Sequence, residues 1–246
     1  MPTISADVAE ALARSGIDVA ALGLGWARAL PCVAIVPAFG LRALPGPARA
    51  VIALALGAIL LPAMAPVTLE ARGAPGRWLV LAALEAARGL PVAIAASVPL
   101  WAATMAGGVA DTMRGSQDSV ASPAVEGRAT PLGVALSLMA AAIFLNGGGA
   151  ARVASALGQT ASRGPLALAI ANDLVAGVTL AVAIASPFLA AGIVVEVAAA
   201  LIARAASPAQ VHALTAPLRS LAALAIAALA LERVATAMAA AVNRAP

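Results

Sequence analysis

The chain contains no lysine and no tyrosine, and its 246 residues include one cysteine and one histidine. A single thiol, Cys32, forms neither an internal disulfide nor a multi-cysteine metal site. His212 alone supplies neither a histidine cluster for a metal ion nor a proton relay. All fifteen cations are arginines. Because they are scattered, without a basic run or interleaved aromatic residues, the sequence argues against a nucleic-acid groove.

Charge of either sign is scarce. Charged residues make up 11% of the chain, whereas an ordinary soluble domain has about 25%. Hydrophobic residues reach 63% and the mean hydropathy is +1.00, which is typical of a membrane protein. Residues 1–16 carry Asp7 and Glu10 and have no clear apolar core, so we expect no cleavable signal peptide.

The apolar residues fall into six stretches, and a spanning helix needs roughly 20 of them. The sequence therefore predicts a membrane-associated, all-α fold with about six helices, in a single domain over residues 1–246. Two more polar regions, 111–130 and 146–164, are predicted to be loops. The stretches are Ile17 to Phe39, Ala50 to Val67, Trp78 to Ala110, Pro131 to Leu145, Leu174 to Val195 and Ser220 to Leu231.

Three features distinguish these stretches from ordinary spanning helices. Prolines lie within or beside most of them and predict bent helices. On an alternating six-span arrangement the arginines divide almost evenly between the two sides, so the chain has no positive-inside signal. Alanine and glycine recur on nearly every helical turn, which favours packing of helix on helix over contact with lipid. The prolines are Pro31, Pro37, Pro62, Pro91, Pro99 and Pro187.

Catalytic motifs are missing from the sequence. There is no HExxH, no GxSxG and no P-loop, and the run Gly147-Gly148-Gly149 lacks the lysine and hydroxyl residue of a phosphate cradle. We interpret that run as a flexible helix terminus. The sequence predicts no catalytic residue, no cofactor and no metal site.

Among the charged residues within or beside the apolar stretches, three are candidates for a contact or a functional site. Glu85 and Arg88 are three residues apart, so they share a helix face and can pair. An unpaired charge inside a membrane costs about 2.5–3.5 kcal/mol on insertion scales. We expect Glu85 and Arg88 to form a structural ion pair or an intersubunit contact, with a functional site as the alternative. Glu196 follows the longest uncharged stretch and is interpreted as a helix-end or intersubunit contact, with a proton or cation site as the alternative.

A polar cluster, AGGVADTMRGSQDS, covers residues 106–119 in the middle of apolar sequence. Taken alone, it is typical of a solvated loop between helices. Its candidate functional residues are Gly107, Gly108, Asp111, Arg114, Gly115 and Gln117.

Several motifs resemble those of the FliR/SctT (YscT/SpaR) family, the inner-membrane export-apparatus proteins of type III secretion. Residues 106–115 are similar to the family pattern Ala-Gly-x-x-x-Asp-x-x-Arg-Gly, and Glu85 and Gly89 fit its Glu-x-x-x-Gly. The endings Pro131-Leu132-Gly133 and Pro217-Leu218-Arg219-Ser220 favour the injectisome branch over the flagellar one. Near the start, the matching positions are Arg28, Pro37, Phe39, Arg42, Pro45 and Arg49.

The resemblance implies a non-enzymatic subunit of a hetero-oligomeric export gate. In the family, one copy joins several copies of two small hydrophobic proteins, which are FliP/SctR-like and FliQ/SctS-like. Their helices are bent hairpins that form a cone around a channel for secreted proteins. The resemblance also implies a multi-pass protein of the bacterial inner membrane that partly protrudes on the periplasmic side, with lipid as a further neighbour and no nucleic acid.

The same resemblance implies a role for the polar cluster, because the family's loop after the third hydrophobic stretch helps to plug the closed pore. Gly107 and Gly108 would then allow a tight turn toward the pore axis. Asp111 and Arg114 would hold each other or a partner, and residues 115–128 would fold into the lumen. The alternative function is a secondary transporter for a small solute, which requires ionisable groups at broken helices. An intramembrane enzyme is a third class, but the sequence offers no nucleophile–base pair.

Overall fold

The computed structural model of the chain describes residues 14, 16, 18–39, 44–71, 75–116, 118–121, 128–159, 166–205 and 208–244. Of the residues named above, Asp7, Glu10, Ile17, Arg42 and Gln117 lie outside this described part. The described elements, in chain order, are α1 (Val19–Ile35), α2 (Gly46–Ile59), α3 (Leu61–Ala71), α4 (Pro75–Met113), β1 (Val120–Ala121), β2 (Arg128–Ala129), α5 (Pro131–Asn146), α6 (Gly149–Gly158), α7 (Leu166–Ala205) and α8 (Pro208–Arg244).

The predicted all-α fold is confirmed, but the described residues form eight helices where the sequence predicts about six. The predicted loop 146–164 contains helix α6, whose Val153 and Leu157 are fully buried. Its glycine-rich start and Arg152 indicated a loop, although Val153 and Leu157 have the four-residue spacing of one helix face. The predicted loop 111–130 begins later, because α4 continues to Met113, and it contains the antiparallel pair β1–β2.

The second apolar stretch is divided by a sharp break at Leu60. Helix α2 ends there and α3 begins at the next residue, with an angle of 78° between them. Pro62 lacks the backbone N–H that would continue the helix, but it is tolerated in the first turn of a new one. The Leu60 N–H instead donates to the Gly57 carbonyl at 3.1 Å, which closes α2 with a tighter turn.

Among the described residues, three helical segments are long and apolar enough to cross a membrane: Gly76–Met113, Ile170–Ile202 and Ser220–Asn243. Two further pairs of described helices, α2 with α3 and α5 with α6, are each long and apolar enough to cross a membrane if the two helices count as one bent segment. These findings fit a multi-pass membrane protein.

The chain divides into two compact units. Unit 1 contains the described part of residues 1–97 together with 148–172, and unit 2 contains residues 98–147 and 173–245. In unit 1, α1 packs against α2 and α3. The buried side chains of Leu24, Met64 and Leu81 form a core that is partly covered by Trp78.

Close approach of α1 and α2 depends on two glycines. A Cβ atom on Gly25 would lie 2.6 Å from the carbonyl oxygen of Gly57, and one on Gly57 would lie 2.6 Å from the backbone nitrogen of Trp26. Because both obstacles are backbone atoms, no side-chain movement relieves them. The Trp26 indole also donates to the Ala50 carbonyl at 3.3 Å, which ties the same two helices together.

Unit 2 contains the second half of α4, the short hairpin, α5, α8 and most of α7. Helix α5 packs against α8. Leu100, Ile184 and Met238 are among its fully buried side chains. Within their most apolar 18-residue windows, α7 and α8 are only 22% and 17% buried, whereas α4 is 44% buried.

Replacing Gly57 with alanine should destabilise unit 1, because the added methyl group meets the backbone of α1. Overpacking of this kind costs about 1–3 kcal/mol. For a chain of this size, each kcal/mol lowers the thermal midpoint by about 2–4 °C. Circular dichroism melting in detergent measures this change.

Gly46→Ala is the matched control, since Gly46 begins the same helix and a Cβ there meets nothing within 4 Å. Equal midpoints for the Gly57→Ala and Gly46→Ala proteins would contradict the proposed backbone contact.

Candidate functional site

Polar side chains gather at two places in the described structure. The first, which we name the arginine–glutamate cluster, consists of Arg28, Glu85 and Arg88 in unit 1. The second, the loop base, consists of Asp111, Arg114, Gly115 and Leu132 in unit 2. Within the described residues, no group of three or more histidine, cysteine, aspartate or glutamate side chains is placed to hold a metal ion.

The carboxylate of Glu85 is fully buried, and each of its oxygens meets a different arginine. Arg28 of α1 donates from Nε to Oε2 at 2.5 Å, while Nη1 of Arg88 donates to Oε1. Arg28 is itself buried, whereas the side chain of Arg88 is 53% exposed. The structure therefore contains the ion pair expected between Glu85 and Arg88 and adds a second, more enclosed partner.

Arg28 makes a further contact that joins a third helix to the cluster. Its Nη1 donates to the carbonyl of Leu157 at 3.0 Å, in the last turn of α6. The last four carbonyls of a helix have no partner within it, and a cation at that end is also favoured by the helix dipole. Arg28 thus holds α1, α4 and α6 together.

Sequence reasoning missed Arg28 as the main partner of Glu85, because 57 residues separate them. A signal was present: Arg28 interrupts the first apolar stretch, and Glu85 is the only acidic residue in the third. Burial requires that each find a countercharge.

Gly89 allows the close approach on which this ion pair depends. A Cβ atom at Gly89 would lie only 2.0 Å from the carbonyl oxygen of Arg28. The glycine one helical turn after Glu85 therefore lets the backbones of α1 and α4 meet beside the carboxylate. This contact gives a physical reason for the spacing Glu85-x-x-x-Gly89.

At the loop base, Asp111 of α4 caps the first turn of α5. Its fully buried carboxylate accepts a hydrogen bond through Oδ2 from the backbone N–H of Leu132, at 2.7 Å. Thr130, the residue in the N-cap position of α5, makes no capping bond with its own side chain. Asp111 supplies the missing acceptor from another helix, and its negative charge suits a helix N-terminus.

Arg114 forms an ion pair with Asp111, and Gly115 ends α4. Nε of Arg114 lies 2.6 Å from the other carboxylate oxygen of Asp111, and the Arg114 side chain is 16% exposed. Gly115 has φ of +78°. The Gly115 N–H donates to the Thr112 carbonyl, and the Ser116 N–H donates to the Asp111 carbonyl, both at 3.0 Å. These two bonds form a Schellman motif, whose left-handed position favours glycine.

The tight turn expected at Gly107 and Gly108 is wrong, because both residues lie inside α4. Gly107 serves helix packing instead: a Cβ atom there would lie 2.5 Å from the backbone nitrogen of Gly133. A Cβ atom at Gly108 would meet only the Thr130 hydroxyl, at 3.9 Å. Adjacent glycines in a sequence do not reveal whether they permit a turn or a close helix contact.

Between the two ends of the loop base, the described chain forms a short exposed hairpin. Val120 pairs with Ala129 and Ala121 with Arg128. Nη2 of Arg128 donates to the Ser119 carbonyl at 3.2 Å. Residues 122–127 and Gln117 lie outside the described part of the chain.

Glu196 lies on the exposed surface of α7. It lines a small cleft of unit 2 together with Met113 of α4, Phe188 of α7 and Ala223 of α8. The interpretation of Glu196 as an intersubunit contact stays a prediction.

The two adjacent glycines of α4 should respond in opposite ways to alanine. Gly107→Ala should destabilise unit 2, because its methyl group meets the backbone of α5. Gly108→Ala should be neutral or slightly stabilising, since alanine is favoured over glycine inside a helix by about 1 kcal/mol. Thermal melting of the two purified variants measures the difference, and a lower midpoint for Gly108→Ala than for Gly107→Ala would contradict this packing.

Breaking the buried ion pair should be far more costly than removing its exposed partner. Glu85→Gln leaves Arg28 buried without a countercharge, a type of change that costs about 3–5 kcal/mol. Arg88→Gln removes a half-exposed partner, for which about 0–1 kcal/mol is typical. Chemical denaturation in detergent compares the two variants. Equal losses would show that Arg28 does not depend on Glu85.

The chain matches the family model described as bacterial export proteins, family 1, over residues 19–245. No curated protein sequence matches the chain. The matched range contains both the arginine–glutamate cluster and the loop base, and the family is one of structural export-apparatus proteins rather than enzymes. The chain therefore belongs to the bacterial export proteins of family 1, the FliR/SctT type, and has a role in a protein-export apparatus.

Proposed function

We propose that this protein is a structural subunit of a type III secretion export gate, in which it lines a protein-conducting channel with partner subunits. The partners are small hydrophobic proteins of the FliP/SctR and FliQ/SctS types, and the cargo is secreted protein in transit. The loop that follows α4 helps to close the channel. The assembly lies in the bacterial inner membrane and partly protrudes on its periplasmic side.

The large apolar faces of α7 and α8 support assembly with other subunits. Leu229 is 84% exposed, and Val175, Val194 and Leu221 are also well exposed. These faces are rich in alanine, which permits close packing of helices. Partner helices that cover them would bury much apolar surface without requiring any polar contact.

The internal use of charge argues against a solute transporter. Such a protein needs an ionisable group that can exchange a proton or an ion at a broken helix. Both oxygens of Glu85 are occupied by arginines, and Asp111 is enclosed between Arg114 and the Leu132 N–H. These two buried carboxylates therefore serve structure rather than solute binding.

The observation that carries the closing role is the tethered loop. Asp111 and Leu132 are 21 residues apart in sequence, yet a hydrogen bond of 2.7 Å joins them. The two ends of the segment between them therefore lie side by side at the loop base. Ends held together in this way support a loop that closes a channel.

The injectisome branch is favoured by two sequence features only. These are Pro131-Leu132-Gly133, at the start of α5, and Pro217-Leu218-Arg219-Ser220, within α8. The branches can be distinguished by supplying this chain to an injectisome and to a flagellar system that each lack their own FliR/SctT-type subunit. The measurement is secretion of a reporter by each system.

Shortening the loop tests the closing role. Because Val120 and Ala129 face each other across the hairpin, residues 121–128 can be replaced by Asn-Gly, which favours a two-residue hairpin turn. The assembled complex should form normally but leak small solutes several-fold faster in the absence of cargo. The measurement is dye release from vesicles that contain the purified complex.

The matched control replaces residues 121–128 with eight glycine and serine residues, which keeps the loop length but removes its side chains. If only the short-loop complex leaks, the length of the loop closes the channel. If the short-loop complex and the glycine–serine complex both leak, the native side chains of the loop close it. If the fully assembled short-loop complex leaks no more than the wild type, the loop does not close the channel. Solute uptake by the purified chain without partners would instead support the transporter.

A further inference from the structure

We propose that Arg88 binds a carboxylate of a partner subunit, and that the helix carrying this carboxylate packs along the outward side of the first half of α4. This inference rests on the assembly proposed above, for which it names a contact surface in unit 1 and the chemistry of the partner. The surface, which we call the α4 face, consists of Val80, Ala83, Leu84, Ala87 and Arg88.

The arginine–glutamate cluster carries more positive than negative charge. The guanidinium groups of Arg28 and Arg88 share the one carboxylate of Glu85, which leaves an excess of one positive charge. The C-terminal end of α6, which accepts a hydrogen bond from Arg28, offsets only part of this excess, because a helix terminus carries about half an elementary charge. The cluster therefore attracts a further anion.

Arg88 is the member of the cluster that an anion from outside can reach. Its side chain is 53% exposed, whereas Arg28 and Glu85 are almost completely buried. Among the described residues, Arg88 makes one hydrogen bond, from Nη1 to Oε1 of Glu85. A guanidinium group has five N–H donors in a planar fork, so the remaining donors can hold a second carboxylate. Because Glu85 already fixes the Arg88 side chain, little conformational entropy is lost when that carboxylate binds.

The apolar part of the α4 face suits a helix. Val80 and Leu84 are 59% and 48% exposed, and they precede Arg88 by two turns and one turn on the same side of α4. Ala83 and Ala87 lie beside them, four residues apart. Pairs of small residues at this spacing let another helix approach closely. A partner helix would cover this apolar surface while it presents its carboxylate to Arg88.

A lipid phosphate fits this position less well than a carboxylate on a helix. Arg88 lies 12 residues beyond Gly76, where the apolar segment of α4 begins, and this separation is about 18 Å along a helix. The hydrocarbon core of a bilayer is about 30 Å thick. If the membrane begins near Gly76, Arg88 lies close to the middle of that core. Phosphate groups are held at its boundary, whereas a spanning partner helix can carry an acidic residue at this depth.

The charge at position 88 tests the contact. Arg88→Gln removes the charge and Arg88→Lys keeps it. Each variant is co-expressed with the two partner subunits proposed above, and native mass spectrometry measures the fraction of this chain that is recovered in the complex. Arg88→Gln should lower that fraction several-fold, because a carboxylate is then buried without its countercharge, and Arg88→Lys should restore most of it. Recovery of Arg88→Gln equal to wild type, or of Arg88→Lys no better than Arg88→Gln, would overturn the inference.

Two controls separate this contact from a role of Arg88 in the fold or from general charge. Thermal melting of the chain without partners should change little for Arg88→Gln. If that midpoint falls along with the recovery, Arg88 stabilises the fold and the inference is overturned. Arg77→Gln is the matched control, since Arg77 is exposed on the same helix but lies outside the cluster. It should assemble as the wild type does, and an equal loss for Arg77→Gln would also overturn the inference.

A photo-reactive benzophenone amino acid at Leu84 identifies what covers the α4 face. Irradiation of the purified complex should join this chain to one of the partner subunits. A cross-link to lipid alone, to a second copy of this chain alone, or to nothing would overturn the inference.

The wild-type complex separates this inference from the proposed function. If the wild type assembles and the results at positions 84 and 88 are negative, the contact of Arg88 is rejected and the proposed function stands. If the wild-type chain does not assemble with the partner subunits, the proposed function fails and the inference fails with it.

Discussion

A carboxylate that is withdrawn from water must find its partners within the protein, and this requirement organises both units of the chain. Glu85 meets it through Arg28 and Arg88, and Arg28 in turn caps the end of α6. Asp111 meets it through Arg114 and the first turn of α5. Each buried acid thus fastens helices that are distant in sequence. Gly89 and Gly107 lie near these acids and allow the backbones of the contacting helices to approach each other closely.

The exposed surfaces of α7 and α8 are mostly apolar and present alanine, valine and leucine, although Glu196, Arg204, Glu232 and Arg233 are also exposed there. Such a surface suits a subunit that is surrounded by other helices. Helices in that setting need not cross the bilayer in regular alternation, which would explain why the arginines show no positive-inside signal.

The sequence predicts the helical class, because the apolar character that indicates membrane helices is summed over many residues of each stretch. It also predicts the pair Glu85–Arg88, since a spacing of three residues is enough to place both on one helix face. The contacts of Arg28 with Glu85 and of Asp111 with Leu132 join residues 57 and 21 positions apart, and no periodicity indicates such pairs. Gly107 and Gly108 show a further limit. Glycine permits both turns and close helix crossings, and only the neighbouring helix decides which is formed.

We propose that the exposed apolar faces of α7 and α8 contact partner subunits, with lipid as a lesser neighbour. A spin label at Leu229 tests this contact directly when Leu229→Cys is combined with Cys32→Ala, because Leu229 is the most exposed large hydrophobic residue among the described side chains of α8. In the purified complex, electron paramagnetic resonance should show an immobilised label with little access to dissolved oxygen, as in a protein interior. A mobile label with high oxygen access in that complex would place this face in lipid and contradict the account.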